Sequence, residues 1–136
     1  MIGMSEFIVT RKEAARAKTS SDIVLAGNLA FLSGLGPIDL DDDRAPLPEM
    51  VEAQTLRILH NAETLLKTVG MTRAHLVQVR VSIVSYAKFH QRVAEAYVTF
   101  FPPDRLPARS CVGVSTLMRG ALVEMDCIAS RGGAAT

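Results

Sequence analysis

The sequence contains no tryptophan and only seven other aromatic residues, two Tyr and five Phe, so its core has to rest on aliphatic side chains and methionine. Cysteine is scarcer still. Cys111 and Cys127 are sixteen residues apart with no histidine between them, which fits neither a zinc ribbon nor a disulfide-stapled scaffold; both are read as free thiols. No apolar run approaches the roughly 20 residues that a membrane helix needs, and Met1–Arg16 lacks an apolar signal core. The expectation is a cytoplasmic protein with no membrane partner. Charge of one sign is missing as well: the net charge is +1, and no basic run exceeds Arg11-Lys12. Binding driven by counterion release requires a clustered cationic face, so no nucleic-acid partner is expected.

What remains is an ordinary globular balance, 49% hydrophobic and 21% charged, in a chain whose 136 residues suit one domain spanning 1–136. Short β-prone segments at Phe7–Thr10, Asp22–Ala26 and Leu29–Ser33 come first, the last two flanking a Gly27-Asn28 turn. Asp39–Pro48 is acidic and proline-bearing, as an exposed loop would be. Glu49–Val69 is predicted helical, with Met50, Ala53, Leu56, Leu59 (or Leu66 a turn later), Ala62 and Leu65 as its stripe and Gly70 as its stop. Thr72 starts a short turn. Val77–Val84 alternates as a half-buried strand, with Val77, Val79, Val81 and Ile83 inward. Ser85 is expected to cap a second helix over Tyr86–Phe100, ended by Pro102-Pro103, and Ala108–Ser115 and Ala121–Ser130 read as two further strands. The order β-β-β-α-β-α-β-β predicts an α+β fold, a mixed, mostly antiparallel sheet with two helices packed on one face.

Period two divides the last strand into Val123, Met125, Cys127 and Ala129 on one face and Leu122, Glu124, Asp126 and Ile128 on the other. The first set should meet the helices. The second mixes carboxylates with Leu122 and Ile128, so in a chain this short its cover is expected to be another subunit. On the neighbouring segment, Arg109, Cys111 and Gly113 share a face. Arg109 and Glu124 then admit two readings. One is a cross-strand salt bridge of small energetic value. The other is chemical: an arginine fork that clamps a carboxylate, and a partly buried glutamate that moves a proton. The three histidines, His60, His75 and His90, offer no metal-binding pair on one helix face. Gly34-Leu35-Gly36 runs into Pro37 and an acidic stretch, unlike a phosphate loop, and Asp41-Asp42-Asp43 lacks the spaced ligands of a calcium site.

The run Pro107-Ala108-Arg109-Ser110-Cys111-Val112-Gly113-Val114, then Leu117, then Val123-Glu124-Met125-Asp126-Cys127-Ile128-Ala129, resembles the C-terminal signature of the Rid family, the YjgF-like proteins, some once called L-PSP endoribonucleases. Gly27-Asn28, Leu32-Ser33-Gly34 with Pro37, the helix to Gly70, and Tyr97 with Phe100-Phe101 follow in the family's order, so the likeness runs from Ser21 to Arg131. The resemblance implies a chorismate-mutase-like fold, a homotrimer with clefts between subunits, and deamination of enamine or imine acids without metal or organic cofactor. It also implies roles: Arg109 binds the substrate carboxylate, Glu124 activates water, Cys111 lines the pocket, and the Gly34 backbone N–H helps hold the ligand. The sequence departs from the pattern where deaminating members carry a Gly-Pro-Tyr stretch, read here as Lys18-Thr19-Ser20, so that Ser20 stands in the tyrosine's place. Ala94 replaces a frequent Asn, and Leu35 a frequent Gln. Three functions follow in order of expectation: imine deaminase, non-catalytic binder of carboxylate metabolites, and an RNA-acting or chaperone-like protein.

Overall fold

The computed structural model describes residues 3–9 and 19–132. Thr10 and Lys18, which entered the expectations above, lie outside that range. Six strands, β1 (Glu6–Ile8), β2 (Ile23–Ala26), β3 (Leu29–Leu35), β4 (Leu76–Val84), β5 (Ala108–Val114) and β6 (Val123–Ser130), form one sheet in the order β1-β2-β3-β6-β4-β5. Every neighbouring pair is antiparallel except β4–β5, which is parallel. A parallel pair needs a crossover, and helix α2 (Tyr86–Val98) supplies it. Helix α1 (Val51–Lys67) joins β3 to β4 and packs against α2, β3 and β6. The expected element order and the mixed, mostly antiparallel sheet are what the structure shows.

The core lies between the helices and one sheet face. Ala30 and Leu32 of β3, Val79, Val81 and Ile83 of β4, and Val123, Met125, Cys127 and Ala129 of β6 are buried there against Ile58, Leu59, Ala62, Leu65 and Leu66 of α1. Burial of β6 alternates without a break along the strand. The opposite face carries Phe7, Val24, Phe31 and Ile128 in register across β1, β2, β3 and β6, with Phe7 70% exposed and Phe31 39% exposed. Val112 continues this face on β5, level with Ser82 and Glu124.

Three local expectations are corrected. Of the expected α1 stripe, Leu59, Ala62, Leu65 and Leu66 are buried and Leu56 is half-buried, whereas Met50 and Ala53 are exposed and Val51, Thr55 and Ile58 take the buried positions in the first half of the helix. Val77 does not share the face of Val79. A register shift between Leu76 and Gln78 turns it outward, and Leu76 is buried instead. Ser85 precedes α2 in the left-handed region (φ 54°), and its side chain makes no cap hydrogen bond. The turn from Thr72 does form, as a single 3₁₀ turn at Arg73–His75, with the Thr72 and His75 side chains capping reciprocally.

Candidate functional site

The far face of β6 opens beside the Glu124 side chain into a cleft of about 310 Å³, which Thr19, Ser20, Ser33, Gly34, Leu47 and Met118 also line. Three of the expected site residues, Ser20, Gly34 and Glu124, therefore meet. The β3 backbone breaks register between Leu32 and Leu35, and Gly34 takes φ +68° there, a conformation that disfavours any side chain. Its N–H donates to Asp126 Oδ1 at 3.1 Å, and Asp126 Oδ2 pairs with Arg80 Nη2 at 2.9 Å.

Glu124 is only partly exposed, and its carboxylate has no hydrogen-bond partner among the described residues. Burial, reinforced by the like charge of Asp126, raises its carboxyl above the ordinary glutamate range. A carboxylate displaced that way, facing a cleft, suits proton transfer better than structural pairing.

Arg109 and Cys111 lie elsewhere. Because β5 pairs with β4 in parallel, Arg109 is level with Val79 and Cys111 with Val81, which places both on the helix side of the sheet. The Arg109 guanidinium rests over the Tyr97 ring of α2, 5.2 Å from its centroid, and makes no ion pair among the described residues. Gly113 leaves room for α2 to start: a Cβ there would lie 3.0 Å from Tyr86 Cβ. Cys111 is half-buried, and its thiol is pushed up by burial, partly offset by Arg109; thiolate chemistry is disfavoured. A salt bridge between Arg109 and Glu124 within one chain is thereby excluded. The strand β4 separates them, they occupy opposite faces, and strand spacing and rise put their backbones roughly 14 Å apart.

Residues not singled out from the sequence build the cleft walls. Gln54 and Asn61, seven apart on α1, are buried polar side chains on an otherwise apolar face. Gln54 Nε2 donates to Pro48 O (2.8 Å), while the Leu122 N–H donates to Gln54 Oε1 (2.9 Å), so one side chain ties the loop before α1 to the start of β6. Asn61 Nδ2 donates to Ile38 O at 2.8 Å and Gly36 O at 3.4 Å. Arg119, itself left-handed at φ 57°, donates to Asp43 O and Ala45 O. Gln54 and Asn61 fall off the expected apolar stripe, so no signal in the sequence marked them, and none marked Arg119.

The remaining sequence candidates are structural. His75 Nδ1 accepts from the Thr72 N–H, His60 meets the Phe100 ring edge-on, and His90 stacks on Tyr86. Asp39 and Asp42 accept backbone N–H groups two residues on, as in solvated turns. Ala94 sits half-buried within α2. Among the described residues no group of three or more His, Cys, Asp or Glu side chains is placed to hold a metal, and no helix is long and apolar enough to cross a membrane.

Comparison with known proteins adds the following. The family model described as Endoribonuclease L-PSP matches residues 10–131. Reactive Intermediate Deaminase A, chloroplastic, from Arabidopsis thaliana is 33% identical over 92% of this chain, which spans 65% of that protein's length. The RutC family protein SSO3206 of Saccharolobus solfataricus is 30% identical over 94% of this chain and 99% of its own. The crystal structure of a conserved Rid-family protein, YyfA from Yersinia pestis, superposes with a TM-score of 0.82 at 30% identity, covering 93% of this chain and 99% of that one.

Proposed function

Since the chain belongs to the Rid (L-PSP) family, we propose that it hydrolyses small enamine or imine carboxylic acids to 2-oxo acids and ammonia, in clefts between the subunits of a homotrimer with the chorismate-mutase-like fold. The observation that carries this reading is Glu124: a half-buried carboxylate with no partner among the described residues and with raised proton affinity, on the wall of a cleft. Arg109, whose guanidinium makes no ion pair among the described residues, lies on the other face of the same sheet at its β5 edge, which no further strand of the described residues covers. One chain does not bring the two together. A second copy, laying its β5 edge over the cleft of the first, does. The solvent-exposed apolar side chains on the Glu124 face, Phe7, Phe31 and Val112, give that copy a surface to bury.

In the resulting site Arg109 clamps the substrate carboxylate with its fork of donors and fixes the adjacent C=N carbon. Glu124 takes a proton from water as the water oxygen bonds to that carbon. The C=N π pair moves to nitrogen, which takes that proton and becomes the amine of a carbinolamine. A second proton then passes from the new hydroxyl through Glu124 to nitrogen as the C=O forms and the C–N bond breaks, so that ammonia leaves a 2-oxo acid. An enamine enters the same sequence after protonation at carbon. The imine carbon is already electrophilic, so this chemistry calls for no metal or organic cofactor. The endoribonuclease of the family's description is not carried over. The net charge is +1, and Arg119, the arginine that lines the cleft, is engaged by loop carbonyls.

The test is hydrolysis of imines generated in situ by an amino-acid oxidase, with the spontaneous rate subtracted. Wild type should exceed it, and Glu124→Gln should lose roughly two to four orders of magnitude while still binding 2-oxo acids. A second reading, a non-catalytic carboxylate binder, is favoured by one feature: Ser20, where the family's deaminating members carry tyrosine, lies on the cleft and brings no ring into it. Wild type without activity on any imine, yet binding 2-oxo acids through Arg109, would establish the binder.

A further inference from the structure

The Glu124 cleft is built to receive more than a three-carbon acid. Part of its wall is apolar: Ile38 and Leu47 come from the loop between β3 and α1, and Met118, 76% exposed, comes from the turn before β6. That loop is not free to move aside. Asn61 holds it at Gly36 and Ile38, Arg119 at Asp43 and Ala45, and Gln54 at Pro48, so the apolar wall is fixed before any ligand arrives. Ser20 contributes only a small side chain to the lining, and a cleft of about 310 Å³ lies within the range of small-molecule sites. Arg119 is the cation on this wall, and it stands beside Asp43, which also lines the cleft and disfavours a second carboxylate.

We propose that the substrate carries an apolar side chain of four carbons or the thioether equivalent, seated against Ile38, Leu47 and Met118. The reacting acid is then the imine of a branched or thioether amino acid, and not the two- or three-carbon imines that a small pocket would select. This rests on the deaminase reading of the same cleft. Burial of each added methylene strengthens binding about fourfold when it is complete. Side-chain growth from pyruvate to 4-methyl-2-oxopentanoate should therefore tighten binding at least about tenfold.

The experiment is calorimetric titration of wild type with pyruvate, 4-methyl-2-oxopentanoate, 4-methylthio-2-oxobutanoate and 2-oxoglutarate. The expected result is that the two apolar acids bind at least about tenfold more tightly than pyruvate, with 2-oxoglutarate weaker than both. Leu47→Ser and Met118→Ser, each checked for an unchanged circular-dichroism spectrum, should each reduce the ratio of 4-methyl-2-oxopentanoate to pyruvate affinity severalfold. Pyruvate or 2-oxoglutarate binding as tightly as the apolar acids would overturn the proposal while leaving the deaminase reading intact. Failure of all four acids to bind would remove both.

Discussion

If Arg109 and Glu124 act on one substrate from two different chains, two inactive variants must complement each other. Arg109→Ala removes the clamp, and Glu124→Gln removes the base; alone, each should fall by roughly two orders of magnitude or more. When the two are mixed in equal amounts and allowed to exchange subunits, each cleft draws its arginine from one subunit and its glutamate from the next around a closed ring. Half of the subunits still carry Arg109 and half still carry Glu124, so about one cleft in four is intact. The mixture should recover about a quarter of the wild-type rate. A site formed within one chain gives a different answer, because every chain then carries a lesion and mixing restores nothing. The assay is oxidase-coupled imine hydrolysis on a bulky imine, whose slower spontaneous decay leaves a wide window. Native mass spectrometry establishes that mixed oligomers have formed. Mixed oligomers without recovered activity, or wild-type activity in a species that light scattering shows to be monomeric, would refute the shared cleft.

Other expectations follow from single contacts. Tyr97→Leu withdraws the ring from beneath Arg109 and should weaken 2-oxo acid binding, whereas Tyr97→Phe keeps the ring and removes a buried hydroxyl with no partner among the described residues; the phenylalanine variant should bind normally and unfold at equal or higher temperature. Gln54→Leu leaves the Leu122 N–H and the Pro48 carbonyl unpaired, and urea denaturation should show a loss of about 2–4 kcal/mol. Glu63 accepts three hydrogen bonds from Arg73, whose guanidinium also lies over the Phe100 ring, and this pairing lowers the Glu63 carboxyl from 4.5 to about 2. A carboxyl whose folded pKa is depressed stabilises the fold above the unfolded value and ceases to do so as pH falls through the folded one. The wild-type advantage over Glu63→Gln, at most about 3 kcal/mol, should thus be full above pH 5 and fade steadily toward pH 2 in urea midpoints.

The elements were legible because their periods are simple. The alternation of Val123 to Ser130 separates a buried from a half-exposed face residue by residue, as the structure shows. Where a local irregularity intervenes, the period misleads: Val77 continues the alternation of Val79 and Val81 in sequence, yet the shift after Leu76 turns it to solvent. The site was legible in its residue types and illegible in its geometry. Nothing local states that β4 inserts between β5 and β6, since strand order is decided by long-range pairing, and it is strand order that separates Arg109 from Glu124. The cleft walls were hidden for a related reason. Ile38, Leu47 and Met118 become a surface only when Asn61 and Arg119 bind backbone carbonyls far away in sequence and Gln54 joins Pro48 to the distant Leu122.

The charges of Arg109 and Glu124, neither paired among the described residues, also constrain how the proposed site avoids disabling itself. A guanidinium brought directly onto Glu124 would form an ion pair, lower the carboxyl's proton affinity and leave a weak base. The Tyr97 ring acts against this by holding the Arg109 guanidinium over the helix side of its own chain, through an attraction that carries no net charge. The substrate carboxylate then completes the separation: once the guanidinium is committed to it, the positive charge facing Glu124 is neutralised. The burial and the neighbouring Asp126 that raise the Glu124 carboxyl again dominate its surroundings. On this arrangement the base becomes most able to accept a proton when a carboxylate-bearing substrate is in place, and the selectivity of Arg109 for a carboxylate is coupled to the reactivity of a residue that it need not touch.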